Sequence, residues 1–145
     1  MIFIQEYKAK KIKTPNIYKN RSRILSSKNT NLIYLLNKRF AWMKKYLRGK
    51  KHIIELGSGN GCLTKVINNK KIILTDIIKY PWINKKVDML KVNLGKKYIR
   101  KVDIVIINHS LHHCSSPYST LKKISKYLKK NGYILINEPE TSFFL

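Results

Sequence analysis

Ile53-Ile54-Glu55-Leu56-Gly57-Ser58-Gly59-Asn60-Gly61-Cys62-Leu63 is the stretch that decides the fold of this chain. An apolar run with strand character ends in a carboxylate, and three glycines follow at a spacing of two. Glycine permits a sharp turn and lets a ligand approach where a β-carbon would collide. The residues after the turn, Cys62 to Asn69, are expected to form a helix whose first N–H groups point back at it. Strand, glycine turn and helix make a cradle for a cofactor. The dinucleotide fingerprint G-x-G-x-x-G needs glycine at the position held by Cys62, so the spacing argues against that class.

Working outward, strands and helices alternate, which predicts an α/β, doubly wound and mainly parallel sheet of about five strands with flanking helices. The first strand is expected over His52 to Leu56 and the second over Lys71 to Thr75, ending at Asp76. A short third strand is expected near Lys86 to Val87, ending at Asp88. Val102 to Asn108 is an almost unbroken apolar run, the mark of a central strand buried on both faces. Ser119 to Lys130 has the periodicity of an amphipathic helix, with Asn131-Gly132 ending it and Tyr133 to Asn137 as the fifth strand. Upstream, Leu32, Leu35, Leu36, Phe40, Met43 and Leu47 predict a helix from Thr30 to Arg48, capped by Asn29 or Thr30 and closed at Gly49. Residues 1–29 are a basic N-terminal arm with at most one short helix. Residues 30–145 form the cofactor-binding domain, with its core at 50–140.

Several motifs in order resemble class I, Rossmann-like S-adenosylmethionine (SAM) dependent methyltransferases. Glu55-x-Gly57-x-Gly59-x-Gly61 is similar to the family's first motif. Asp76 stands 21 residues after Glu55, where a carboxylate at the end of the second strand accepts both ribose hydroxyls in related folds. Asp88-Met89 resembles the adenine site, and Asn108-His109-Ser110-Leu111-His112-His113 resembles the loop over the methyl-transfer centre. Lys130-Asn131-Gly132 stands in the family's helix-turn-strand. The resemblance covers roughly Lys50 to Glu140. It implies SAM as cofactor, held by Glu55, Gly57, Ser58, Gly59, Gly61, Asp76, Ile77, Asp88, Met89 and Asn108. His109, His112 and His113 are the candidates for a general base. The loop looks like that of small-molecule methyltransferases, so a small-molecule acceptor is expected. The alternatives are a non-catalytic or truncated SAM-binding module and an RNA-directed methyltransferase. His109, His112, His113 and Cys114 offer metal-type donors at one local spacing without a second cluster, so no metal is expected.

The 145 residues suit one domain, and their formal net charge is +24. Charge of that size admits nucleic acid as a partner. Yet 26 of the 31 basic residues are Lys, spread along the chain, as AT-rich coding would produce. If the arm concentrates charge at the cofactor mouth, Lys10, Lys11, Lys13, Arg21 and Arg23 are the residues to do it. The seven carboxylates are Glu6, Glu55, Asp76, Asp88, Asp103, Glu138 and Glu140, six of them at predicted strand ends. Asp103 begins a strand and is expected to cap. Glu138 and Glu140 lie just past the fifth strand, where a structural role outweighs a substrate contact. Cys62 and Cys114 do not make a disulfide framework. No apolar run reaches membrane-spanning length, and the start is too short in apolar residues for a signal peptide, so a cytoplasmic protein is expected. The family's last two strands have no counterpart before Leu145, which suggests a truncated chain with a sheet edge open to oligomerisation.

Overall fold

The computed structural model describes residues 16–138. Glu6, Lys10, Lys11, Lys13, Glu140 and the terminal residues therefore lie outside the described part, as does most of the arm.

Five strands form one sheet in the order β3-β2-β1-β4-β5. They are β1 Ile53–Leu56, β2 Ile72–Asp76, β3 Lys85–Lys86, β4 Val102–Asn108 and β5 Leu128–Asn137. Every pairing is parallel, so this is a doubly wound α/β sheet. β1 and β4 are central, with Ile53 opposite both Ile72 and Ile104. Their side chains are apolar toward both faces because both faces are covered. On one face Ile53, Ile104, Ile106 and Leu135 pack under Leu36, Phe40, Met43 and Leu47. On the other, Ile54, Leu56, Val105 and Ile107 pack under Leu111 and Ile124. Each fully buried side chain of this size contributes roughly 1.5–3 kcal/mol.

The first face is covered by α1 Ile17–Ser26, α2 Thr30–Phe40 and α3 Lys44–Leu47. The Asn29 side chain accepts from the Leu32 amide at 3.0 Å and starts α2. The helix expected from Thr30 to Arg48 is interrupted by a 3-10 turn at Ala41–Met43. There the Arg39 carbonyl accepts from the Trp42 indole at 3.0 Å. Gly49, at φ +73°, turns the chain toward β1.

Two expected helices are corrected. Cys62 to Asn69 is not a helix; only a 3-10 turn forms, at Cys62–Lys65. Thr64 bonds the Gly61 carbonyl through its hydroxyl, and the Asn69 side chain takes the Lys71 amide. Such side chains compete with the helical ladder, and Thr64, Val66 and Ile67 are β-branched. Nor does a helix run from Ser119 to Lys130. α4 spans Pro117–Ser125, capped by Ser116, and β5 already begins at Leu128. The Tyr127 carbonyl accepts from Lys101 and Val102, which draws the segment into the sheet. The register then jumps from Val102/Leu128 to Ile104/Tyr133, leaving Lys129 to Gly132 as an outward excursion. Lys129 closes it with an ion pair to Asp103 at 2.8 Å. Gly132 fits because a β-carbon there would press within 3.1 Å of Leu128 and the Val102 carbonyl.

Candidate cofactor site

The sheet order reverses between β1 and β4, and ligands of such sheets bind outside the carboxyl ends of the strands at that point. The glycine turn leaves β1 there, and the histidine loop leaves β4 there.

Gly57, Gly59 and Gly61 all lie in the left-handed region, at φ +67°, +50° and +66°. Their surroundings differ. A β-carbon on Gly57 would come within 2.7 Å of the Ser110 side chain, whereas one on Gly59 would meet nothing within 4 Å. Gly57 thus closes against the β4 loop, and Gly59 faces open space. Ser58 is buried and pins the turn to β2: its amide bonds the Thr75 carbonyl at 2.9 Å, and its hydroxyl accepts from the Thr75 amide at 3.2 Å.

Asp76 caps the turn from the end of β2. One carboxylate oxygen accepts from the Gly59 amide at 2.8 Å and the other from the Ile78 amide at 3.1 Å. Ile77 beside it is exposed. Asp88 accepts from the Leu90 amide at 2.8 Å. Met89 brings its sulfur to 3.8 Å from the β-carbon position of Gly57, so Asp88-Met89 borders the same turn.

Glu55 is 2% exposed and receives the Asn108 amide at 2.8 Å. Burial pushes its carboxyl from 4.5 up to about 7, against the opposing pull of that hydrogen bond. Among the described residues, Glu55 Oε2, Asn108 Oδ1, Asn137 Nδ2 and Arg39 Nε are buried without partners. Buried polar atoms are normally satisfied. Glu55 Oε2 and Asn108 Oδ1 are acceptors that fit an ammonium group, and the space over Gly59 admits a ligand where a side chain would stand. The residues present therefore fit the methionine end of SAM.

The β4 loop is ordered from β5. Glu138 Oε1 accepts from the Ser110 and Leu111 amides at 2.9 and 2.8 Å, and Oε2 lies 2.6 Å from His112 Nδ1. Burial alone would raise the Glu138 carboxyl, but His112 and these amides hold it below its usual range. The His113 ring lies tilted against that of His112, with centroids 4.1 Å apart. His109 has φ +46° and bonds the Asn137 carbonyl. Burial and then the neighbouring Arg39 lower its basicity.

Asp103 lies near the start of β4, at the opposite end of the strand from this cleft. Burial would raise its carboxyl, yet Lys129 and the His52 and Lys51 amides hold it at about 2. It ties the start of β4 to the start of β1. Among the described residues no group of His, Cys, Asp or Glu is arranged to hold a metal ion. Among the described residues no helix is long and apolar enough to cross a membrane. Of the five basic residues named for the mouth, Arg23 is exposed and Arg21 contacts the Asn60 carbonyl on the glycine turn.

A parallel sheet of this order with a glycine turn after its central strand defines a Rossmann-like nucleoside-cofactor domain. Residues 28–144 match the profile of the methyltransferase domain family, and the chain belongs to that family, whose cofactor is SAM. Solved structures agree in fold. A DszA carbon methyltransferase aligns with TM-score 0.55 and 19% identity, over 80% of this chain and 38% of its own. A SAM dependent methyltransferase from Aquifex aeolicus aligns with TM-score 0.52 and 18% identity, over 80% and 71%. The [4+2]-cyclase SpnF aligns with TM-score 0.52 and 19% identity, over 79% and 47%. This chain thus spans well under half the length of the solved DszA carbon methyltransferase chain. No curated protein sequence matches it.

Sequence reasoning did not find Arg39, Asn137 or Trp82, named Arg21 only as a charge that could converge on the mouth, and gave Glu138 a lesser part. The one signal available for Glu138 was its place, a rare carboxylate at the carboxyl end of a strand.

Proposed function

We propose that this domain binds SAM and transfers its methyl group to a small-molecule acceptor that must lose a proton. The observation that carries the reading is the Glu138–His112 pair at the carboxyl ends of β4 and β5. Bound SAM supplies an activated methyl group on its sulfonium. Glu55 Oε2 and Asn108 Oδ1 receive the ligand's ammonium, Asp76 takes the ribose hydroxyls, and Asp88-Met89 borders the adenine. The side chain of Ser58 shapes the turn from within rather than touching ligand.

Glu138 is held ionised by two amides and by His112. A carboxylate at Nδ1 takes the Nδ1 proton as a hydrogen bond, which leaves the lone pair on Nε2. His112 is partly exposed, so Nε2 is accessible to an acceptor. When Nε2 takes a proton, the imidazolium is stabilised by Glu138 at 2.6 Å. The remaining gain comes from holding the acceptor in line with the departing methyl and keeping water out. The likeness to a carbon methyltransferase favours an acidic C–H acceptor, whose proton needs such a base. The reading places the protein in the cytoplasm, where Cys62 and Cys114 stay reduced.

The test is transfer of labelled methyl from SAM into fractions of small molecules, including β-dicarbonyl carbon acids. Wild type should label an acceptor, and His112→Ala should slow transfer about 10²–10⁴-fold with SAM affinity unchanged. Full transfer by His112→Ala would remove the base from the reading. Tight SAM binding without transfer to any fraction would reduce the domain to a binding module.

A further inference from the structure

The glycine turn is gripped by two side chains that are not themselves among the residues proposed to hold the ligand. Its two outward carbonyls each accept from a remote side chain. Trp82 Nε1 donates to the Gly59 carbonyl at 2.8 Å, and Arg21 Nη1 donates to the Asn60 carbonyl at 2.6 Å. The Arg21 guanidinium lies over the Trp82 ring at 4.7 Å. Trp82 in turn stacks on Tyr80 at 5.1 Å, and Tyr18 of α1 meets the edges of both. A β-carbon on Gly61 would collide with the Arg21 guanidinium. The backbone at φ +66° already favours glycine there, and any larger residue would also push Arg21 from its seat.

The other end of α1 is fastened to the same segment. Lys65, at the end of the 3-10 turn, donates to the Leu25 and Ser27 carbonyls at 2.6 and 3.1 Å. Yet α1 contributes no buried residue, and only Ile17 and Ile24 pack partly on the core. Polar stitches to the cofactor turn, more than apolar burial, hold this helix in place. A turn with three left-handed glycines loses much conformational freedom on ordering, so outside pins that order it in advance favour ligand binding.

We propose that Arg21, seated on Trp82, is a positioning residue for the glycine turn: it holds the turn in the form that receives SAM and couples the docking of α1 to cofactor binding. The inference rests on the SAM reading of this site. Coupling is reciprocal, so the ligand must steady α1 by the same factor that α1 improves affinity.

The experiment uses the whole chain with S-adenosylhomocysteine as probe, read by calorimetry and by amide hydrogen exchange. Arg21→Ala should weaken binding at least fivefold. Arg21→Lys should recover little, because Lys lacks the planar group that stacks and donates at once. The probe should slow exchange in residues 17–26 of wild type and leave it unchanged in Arg21→Ala. Gly61→Ala should cost more affinity in wild type than in the Arg21→Ala background, where the collision is gone. This comparison holds even if Arg21→Ala loosens α1. Arg21→Ala binding within twofold of wild type, exchange in α1 indifferent to the probe, or additive losses at Arg21 and Gly61 would each overturn the proposal. Wild type failing to bind the probe would overturn the cofactor reading and this inference with it.

Discussion

Gly57→Ala and Gly59→Ala make the same chemical change two residues apart, and the structure assigns them different consequences. Both positions have positive φ, +67° and +50°, so each substitution carries left-handed strain of ~1–2 kcal/mol. At Gly59 nothing else is added, since the new methyl has no neighbour within 4 Å. At Gly57 the methyl comes within 2.7 Å of Ser110 Cβ and 2.8 Å of its Oγ. Ser110 cannot simply swing away, because it is buried and its hydroxyl bonds the Leu56 carbonyl at 3.2 Å. Overpacking of this kind adds ~1–3 kcal/mol. Gly57→Ala should therefore destabilise by about 3 kcal/mol and Gly59→Ala by about 1. In urea unfolding with a slope of about 2 kcal/mol/M, the midpoints fall by about 1.5 M and 0.5 M. Ser110→Gly should relieve most of the excess in the Gly57→Ala background. Affinity behaves the other way: Gly59→Ala, nearly as stable as wild type, should lose SAM binding tenfold or more, because its methyl occupies the ligand's space. Equal midpoint shifts for the two variants, or no relief by Ser110→Gly, would refute the packing argument. Undiminished SAM binding by Gly59→Ala would refute the placement of the ligand.

Asp76→Ala should weaken SAM by about 1.5–3 kcal/mol, the range for hydrogen bonds to a charged group, measured by calorimetry. Asp103→Ala should leave SAM affinity unchanged and lower stability by about 1–2 kcal/mol at neutral pH. The Asp103 value of about 2 lies below its ordinary 3.8, so its contribution is present above that value and is lost as pH falls toward 2. Glu55 has the opposite sign. Its folded value of about 7 lies above 4.5, so the native state holds the proton more firmly, and stability falls as pH rises between those values. The difference between wild type and Glu55→Gln in urea unfolding should change by on the order of 3 kcal/mol from pH 4.5 to 7. A flat difference would place Glu55 in a wetter site.

The central strands were legible because burial on both faces leaves few alternatives: the apolar run Val102 to Asn108 coincides with β4. The places of Glu55, Asp76 and Asn108 on their strands followed, since a residue's position along a strand is a local property. The helices around short connections were less legible. Helical periodicity over Lys126 to Lys130 could not register that the Tyr127 carbonyl bonds to Lys101 and Val102, a contact set by the sheet. Thr64 and the Asn68-Asn69 pair hold chemistry hostile to a helix, but the apolar spacing around them hides it. The contacts that complete the site join distant segments. Arg21 meets Asn60 across 39 positions, and His112 meets Glu138 across 26. No periodicity or spacing rule reaches that far. Arg39 and Asn137 became visible only as buried atoms without partners.

The turn at Gly57, Gly59 and Gly61 is built to take SAM rather than a dinucleotide. Calorimetric titration of the whole chain with SAM and, separately, with NAD tests it directly. SAM should bind saturably and one-to-one, Gly59→Val should abolish that binding, and NAD should bind far more weakly. NAD binding more tightly than SAM, or SAM binding that survives Gly59→Val, would contradict it.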